Sequence, residues 1–138
     1  MEPMDFNARN IAEFRSSGGK LGGPFVGAPV LLLTTVGAKS GQQRISPMMY
    51  LPEGGRIFVI ASNGGSDRHP SWYHNLRATP SATVEVGTET YSVTAAEITG
   101  AERDRLYAIQ AERYPGFATY QERTDRVIPV VELIRGES

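Results

Sequence analysis

Runs of apolar and alternating residues predict a mainly β protein of the α+β class with six strands. The strands cover residues 30–36, 45–51, 56–62, 82–86, 90–96 and 127–134. Residues 30–36 are continuously apolar or β-branched, which is typical of a strand buried on both faces. Glu53-Gly54-Gly55 and Gly87-Thr88 predict hairpin turns, because glycine tolerates positive φ. Strands joined mostly by hairpins favour an antiparallel barrel with helices outside it.

Helices are predicted between and before these strands. Asp5 caps a short N-terminal helix that carries Phe6, Ile11 and Phe14, and the glycine-rich residues 18–27 follow as a linker. We therefore expect residues 1–27 to form a helix and linker, and residues 28–138 to form the barrel domain.

Later helix signals come from prolines and cap residues. Pro70 begins a helix that ends near residue 78. Thr99 and Glu102 have the spacing of a capping box and open a helix that ends before Pro115, followed by a helical turn over residues 116–122. Pro129 lies inside the last predicted strand and favours an edge position or a bulge.

Composition narrows the possible functions. The 138 residues fit one domain, and the absence of cysteine excludes disulfides, thiolate metal ligands and a thiol nucleophile. A formal net charge of -1 gives no long-range attraction to nucleic acid or anionic lipid, so any anion site must be local. The first residues lack the basic start and apolar core of a secretory signal, which predicts a cytoplasmic protein with at most peripheral membrane contact.

Two segments beside the first predicted hairpin carry the most informative chemistry. One is Gly37-Ala38-Lys39-Ser40-Gly41-Gln42-Gln43-Arg44, in which two cations accompany flexible glycines. The other runs from Ala61-Ser62-Asn63-Gly64-Gly65 to His69-Pro70-Ser71-Trp72-Tyr73-His74-Asn75-Leu76. Antiparallel pairing of the hairpin brings both segments to one end of the sheet, where the amides of the second add to the cations of the first. The sequence thus predicts a pocket for a flat, phosphorylated ring compound.

The same segments resemble the deazaflavin-dependent nitroreductase family, split β-barrel proteins that bind the 8-hydroxy-5-deazaflavin coenzyme F-420. The elements that carry the resemblance are Gly37, Lys39-Ser40-Gly41, Arg44, Ser46-Pro47, Tyr50, Ala61-Ser62-Asn63-Gly64-Gly65 and Pro70-Ser71-Trp72-Tyr73-His74-Asn75-Leu76. They follow one another in the family's order, and the match extends from about Pro29 to Leu133. Asn63, His69 and Phe117 depart from the family pattern, in which Lys, Asn and Tyr respectively are common.

The resemblance implies a six-stranded split barrel, related to flavin mononucleotide-binding barrels, that transfers hydride from reduced F-420 to an electron-poor small molecule. Quinones, activated alkenes and nitroaromatics are the implied acceptors. The implied cofactor contacts are Lys39, Ser40, Gly41, Arg44, Pro47, Ala61, Ser62, Asn63, Gly64, Gly65, Pro70, Trp72, Tyr73 and Asn75. The implied acceptor contacts are Tyr50, Tyr114, Phe117 and Tyr120, and the implied catalytic hydroxyls are those of Tyr50, Ser62, Tyr114 and Tyr120.

Several alternatives stay open at this point. Trp72 and Tyr73 are adjacent on a helix, so we expect one to anchor the helix and the other to border the pocket, although both could be packing residues. Asn75 could hydrogen-bond a loop backbone instead of a ligand. His69 and His74 lack the spacing of a helical zinc pair, so no metal is expected. A flavin mononucleotide enzyme, a non-catalytic F-420 carrier and an interaction module are the competing functions, and the protein is expected to be a monomer or a homodimer.

Overall fold

The computed structural model describes residues 6–21 and 27–136. Within these residues the strands are β1 Val30–Val36, β2 Gln43–Met49, β3 Leu51–Glu53, β4 Arg56–Ile60, β5 Ser81–Val86, β6 Glu89–Ile98 and β7 Val130–Arg135. The helices are α1 Phe6–Ser17, α2 Ser71–Ala78, α3 Gly100–Arg113 and α4 Gly116–Glu122, and a short 3-10 turn covers Asn63–Gly65.

All seven strands form one antiparallel sheet in the order β2-β1-β5-β6-β7-β4-β3. The strands β2 and β3 lie at opposite edges of this order, yet only Tyr50 separates them in the chain. The sheet must therefore curl until its two edges meet at Tyr50. Beyond Tyr50, β2 and β4 face each other without strand pairing. The barrel is therefore split along this side.

The split corrects the predicted strand count from six to seven. Residues 45–51 form two strands, because β2 ends its ladder with β1 at Met49 and β3 begins a new ladder with β4 at Leu51. Between them the Tyr50 amide donates to the Pro29 carbonyl oxygen. The predicted hairpin is right only for residues 51–53 and 56–58. Pro47, which lacks an amide donor, lies on β2 where proline is tolerated, at the sheet edge.

The last strand also differs from the prediction. β7 begins at Val130 and lies between β6 and β4 in the interior of the sheet. Pro129 precedes the ladder, so its missing N–H removes no strand hydrogen bond, and its carbonyl accepts a hydrogen bond of 2.9 Å from the Ala61 amide. The inference of an edge strand or a bulge was therefore wrong.

The predicted helices are confirmed, with two qualifications of detail. Thr99 is the N-cap residue of α3, but its side chain makes no capping hydrogen bond, and Glu102 instead pairs with Arg56 at 3.1 Å. Asp5, the predicted cap of α1, lies outside the described residues, as do residues 22–26 of the predicted linker.

Buried apolar side chains form three clusters among the described residues. The barrel interior contains Leu31, Leu33, Val59, Val84, Val93 and Val131. A second cluster joins α3 to the sheet through Leu106, Tyr107, Phe58 and Val130. A third buries Phe14 of α1 and Leu21 against Val30 and Leu32 on the outer face of β1. The barrel thus covers Phe14 of the N-terminal helix, and Ile11 packs against the same cluster.

Candidate active site

A cleft occupies the split between β2 and β4, with a cavity volume of about 470 Å³. Its lining residues come from five parts of the chain: Pro47, Met48, Met49, Leu51, Phe58, Ile60, Ser62, Asn63, Pro70, Trp72, Gln110, Phe117 and Tyr120. Most of these side chains are apolar or aromatic, which suits a flat ring system. The polar members are concentrated where the chain leaves β4 and where α3 and α4 close the cleft.

The loop after β4 forms one end of the cleft. Asn63 has a left-handed backbone with φ 45°, and its side-chain amide donates to the Arg68 carbonyl oxygen. The Gly65 amide donates to the Ser62 carbonyl oxygen at 2.9 Å. The prediction of a free Gly65 amide for anion binding was therefore wrong, because the turn itself consumes that donor. The prediction for the Gly64 amide stays a prediction.

Gly65 is instead required by close packing. It has φ +83°, and a Cβ atom at this position would lie 2.9 Å from the Tyr120 carbonyl oxygen. Any larger residue would push the loop away from α4. Gly65 therefore couples the Ser62 end of the cleft to the helix that supplies Tyr120.

Arg126 anchors the same loop through its guanidinium group. Its guanidinium donates to the carbonyl oxygens of Ala61, Ser62 and Ser66 at 3.1, 2.8 and 2.7 Å. It also lies 3.1 Å from Nδ1 of His69, which must be the acceptor because a guanidinium only donates. Burial and then the Arg126 charge lower the pKa of His69, so this ring stays neutral near pH 7.

The Lys39 segment lies further from the cleft. Residues 38–44 are exposed, and Gly41 and Ser40 make hydrogen bonds within the loop: the Gly41 amide donates to the Gly37 carbonyl, and the Ser40 hydroxyl accepts from the Gln42 amide. The structure does not bring Lys39, Ser40, Gly41 or Arg44 among the cleft-lining residues.

Strand alternation nevertheless places Arg44 on the same face of β2 as Met48, one of the cleft-lining residues. Arg44 pairs with Thr35 and Met48 with Leu31, so Arg44, Ser46 and Met48 share the face that turns towards the barrel interior. Met48 lines the cleft, and Arg44 lies about 13 Å further along the strand. A ligand with a long anionic tail could occupy the cleft and still reach this cation.

The adjacent aromatics on α2 separate as expected, with Trp72 at the cleft and Tyr73 in the core. Tyr73 is 4% exposed, and its hydroxyl donates to the Glu97 carboxylate. Burial, and then this hydrogen bond, raise the pKa of Tyr73 to about 12. Successive helical residues point about 100° apart, so Tyr73 anchors the helix while Trp72 lines the cleft. Contact of Tyr73 with the cofactor stays a prediction.

Asn75 and Ala61 also have structural roles. The Asn75 side chain accepts from the Ala38 amide at 2.9 Å and donates to the Thr35 hydroxyl at 3.0 Å, so it ties α2 to the Lys39 segment. This is the loop-binding alternative, and contact of Asn75 with the cofactor stays a prediction. Ala61 is 0% exposed, with its amide bonded to Pro129. Neither side chain lies at the cleft.

Of the four predicted acceptor residues, two line the cleft and two do not. Phe117 and Tyr120 line the cleft, with ring centroids 5.2 Å apart, and the Phe117 carbonyl oxygen accepts the Tyr107 hydroxyl. Tyr50 packs on the barrel interior, and Tyr114 caps the end of α3. Neither Tyr50 nor Tyr114 is among the cleft-lining residues, and their assignment as acceptor and catalytic residues stays a prediction.

Two functional candidates were missed by sequence reasoning. Gln110 lines the cleft, and Arg126 donates hydrogen bonds to the loop that follows β4. Gln110 had a signal, because it follows Leu106 and Tyr107 on the apolar stripe of α3, where a polar residue is unusual. Arg126 had none, because its partners lie 57 to 65 positions earlier in the chain.

Two further features of the described residues bear on function. Residues 6–21 and 27–136 contain no group of three His, Cys, Asp or Glu side chains that could hold a metal ion. No helix in the part of the chain that the structure describes is long and apolar enough to span a bilayer.

Comparison with known proteins decides the family. The model of the F-420H(2)-dependent quinone reductase family matches residues 7–134. The chain belongs to this family. An F-420H(2)-dependent quinone reductase of Mycobacterium tuberculosis is 41% identical over 128 residues, which cover 90% of this chain and 86% of that enzyme. The deazaflavin-dependent family inferred from the sequence motifs is thereby confirmed.

Solved structures of this reductase family share the fold. The F-420-H2-dependent reductase FDR-A is 43% identical, covers 76% of this chain and 93% of its own, and superimposes with a TM-score of 0.69. Another solved structure, a domain-swapped dimer, is 38% identical, covers 91% and 95%, and has a TM-score of 0.71. The predicted split barrel is confirmed, with seven strands in place of six.

Proposed function

We propose that this protein reduces a quinone with the reduced deazaflavin coenzyme F-420. The observation that carries the proposal is the 470 Å³ cleft in the split of the barrel, in a chain that belongs to the quinone reductase family. The cleft is large enough for a flat ring and lined mainly by apolar side chains, which exclude water from the reacting faces.

The cleft residues fit the cofactor part by part. Pro47 and Trp72 would contact the faces of the ring, and Ser62 and Asn63 supply polar groups at one end. Arg44 extends the cleft face of β2 and would pair with the phosphate or the carboxylates of the tail. The deep part of the cleft thus suits the ring, and the exposed cations suit the tail.

Bound reduced F-420 supplies hydride, which is two electrons and one proton, so the conversion of a quinone to a hydroquinone requires one further proton. The Tyr120 hydroxyl is the cleft group best suited to donate to a quinone oxygen, since phenols both donate and accept. Ser62 is a second hydroxyl at the cleft. The main task of the protein is to hold ring and acceptor face to face.

The acceptor side is built by α4. Phe117 and Tyr120 contribute aromatic surface to the cleft, as Trp72 does from α2, and the Tyr107 hydroxyl fixes the Phe117 backbone. An aromatic quinone would stack on these rings. We infer a small-molecule acceptor, and the domain-swapped dimer among its relatives supports a homodimer as one form of the protein.

A binding titration tests the cofactor assignment. Trp72 is the single tryptophan of the chain and lines the cleft, so its fluorescence reports ligand entry. We expect oxidised F-420 to quench Trp72 at lower concentration than flavin mononucleotide, which has a phosphate but lacks the further carboxylates of the F-420 tail. Equal or tighter binding of flavin mononucleotide would contradict the assignment and favour a flavin enzyme.

A further inference from the structure

Gln110 is a buried amide in the wall of the cleft. Its side chain is 2% exposed, yet it is one of the residues that line the cavity. It follows Leu106 and Tyr107 by four and three positions, so it extends the buried stripe of α3 to the cleft. The other residues that line the cavity, among them Phe58, Phe117 and Tyr120, offer mainly apolar surface.

The side-chain carbonyl oxygen of Gln110 has no hydrogen-bond partner among the described residues. A buried polar atom without a partner is destabilising, and native proteins keep very few of them. Leucine or methionine would continue the apolar stripe without that cost. An amide at this position is therefore explained most simply by a partner that the cleft receives from outside.

We propose that Gln110 binds the oxygen atoms of the quinone and of the hydroquinone product. Its carbonyl oxygen accepts from a hydroquinone hydroxyl, and after a half-turn of the amide its NH2 group donates to a quinone carbonyl. Gln110 comes from α3, and Phe117 and Tyr120 come from α4, whereas Pro47 and Met48 of the same cleft come from β2. This inference rests on the proposed function and adds a residue that selects acceptors bearing oxygen.

The test compares menadione with 2-methylnaphthalene, which has the same ring skeleton and lacks both oxygens. Binding of each is followed by quenching of Trp72 fluorescence in the absence of F-420, with wild-type protein and Gln110→Met. Methionine has a similar volume and no amide. We expect Gln110→Met to weaken menadione binding roughly three- to tenfold, the range of one net hydrogen bond, and to leave 2-methylnaphthalene binding unchanged or tighter.

Asn10 provides the matched control. It carries the other buried side-chain atom without a partner in the described chain, but it lies on α1 and does not line the cleft. Asn10→Leu therefore removes a comparable amide, and we expect it to leave the binding of both compounds unchanged. The melting temperature of Gln110→Met should be equal to or above that of the wild type, because the substitution removes an unsatisfied carbonyl.

Several results would overturn this inference. One is a lower melting temperature of Gln110→Met with unchanged menadione binding, which would show an internal structural role. Others are an equal loss of binding for 2-methylnaphthalene, a loss of F-420 binding of the same size, or no binding of menadione by the wild type. A different result would contradict the proposed function itself: menadione would bind but would not be reduced in the presence of reduced F-420.

Discussion

Arg126 donates a hydrogen bond of 2.8 Å to the Ser62 carbonyl oxygen, 64 positions earlier in the chain. With its contacts to Ala61 and Ser66, this arginine fixes the loop that ends the cleft. These long-range contacts add to the hydrogen bonds of the local turn, in which the Gly65 amide donates to the Ser62 carbonyl oxygen. The position of the Ser62 and Asn63 polar groups thus depends on a residue that never enters the cleft.

Replacing Arg126 by lysine should weaken F-420 binding at least tenfold. Lysine keeps the positive charge, but a single ammonium cannot reach three separate carbonyl oxygens, and each charge-assisted bond is worth about 1.5–3 kcal/mol. Titration of Trp72 fluorescence measures the affinity, and Arg105→Lys on the exposed side of α3 serves as the control. Unchanged affinity of Arg126→Lys for F-420 would show that the loop keeps its shape without the three hydrogen bonds of the arginine.

Replacing Arg44 by alanine should weaken F-420 binding by roughly ten- to a hundred-fold, through the loss of one charge-assisted contact with the tail. The fold should tolerate the change, because Arg44 is exposed on an edge strand. Arg105→Ala is the matched control for loss of a surface cation. A sharply lower melting temperature with unchanged affinity would mean that Arg44 is structural and that the anionic tail lies elsewhere.

Phe117 should decide the choice of acceptor. It fills volume at the cleft beside Tyr120 but offers no hydrogen-bond donor. We expect robust reduction of menadione and poor reduction of bicyclic nitroimidazoles, with Phe117→Tyr raising the nitro activity by supplying a hydroxyl. Anaerobic loss of reduced F-420 absorbance with each acceptor gives the rates. Efficient nitroimidazole turnover by the unaltered protein would refute the assignment.

The ion pair of Arg56 and Glu132 predicts a pH dependence of stability. Two hydrogen bonds of 2.8 and 3.0 Å from Arg56 lower the pKa of Glu132 below its ordinary value of 4.5. A lowered carboxyl pKa stabilises the fold above the unfolded value, and this contribution is lost as the pH falls through the folded pKa. Glu132→Gln should therefore melt lower than the wild type near pH 7, and the difference should shrink below about pH 4.

Thermal melts from about pH 7 to about pH 3 follow this difference. Glu112→Gln, at an exposed position of α3, shows the effect of removing a surface carboxylate alone. A difference in melting temperature between wild type and Glu132→Gln that stays constant down to about pH 3 would show that Glu132 does not titrate as the ion pair predicts.

Local patterns predicted most of the fold. The continuous run Val30–Val36 and the turn at Gly87 were sufficient for β1 and for the hairpin of β5 and β6, because each is decided by neighbours in the chain. The break at Tyr50 was not predictable in this way. Residues 45–51 read as one strand, and only the closure of the curled sheet makes them pair with two different partners.

The candidate site was predictable in its motifs and less so in its side chains. Ser62, Asn63, Pro70 and Trp72 of the motifs line the cleft, and their contact with the cofactor stays a prediction. Helical geometry required Trp72 and Tyr73 to separate, but the direction of each depends on how α2 packs on the sheet. Tyr50 and Tyr114 share a residue type with Tyr120, and sequence alone could not show which of the three tyrosines would be among the cleft-lining residues.

The most direct test of the central claim is anaerobic oxidation of reduced F-420 by menadione, followed by absorbance with and without the purified protein. We predict a protein-dependent rate that saturates with menadione and falls when reduced flavin mononucleotide replaces reduced F-420. Tight binding of F-420 without any protein-dependent oxidation would identify a carrier, and it would contradict the account of this protein as a quinone reductase.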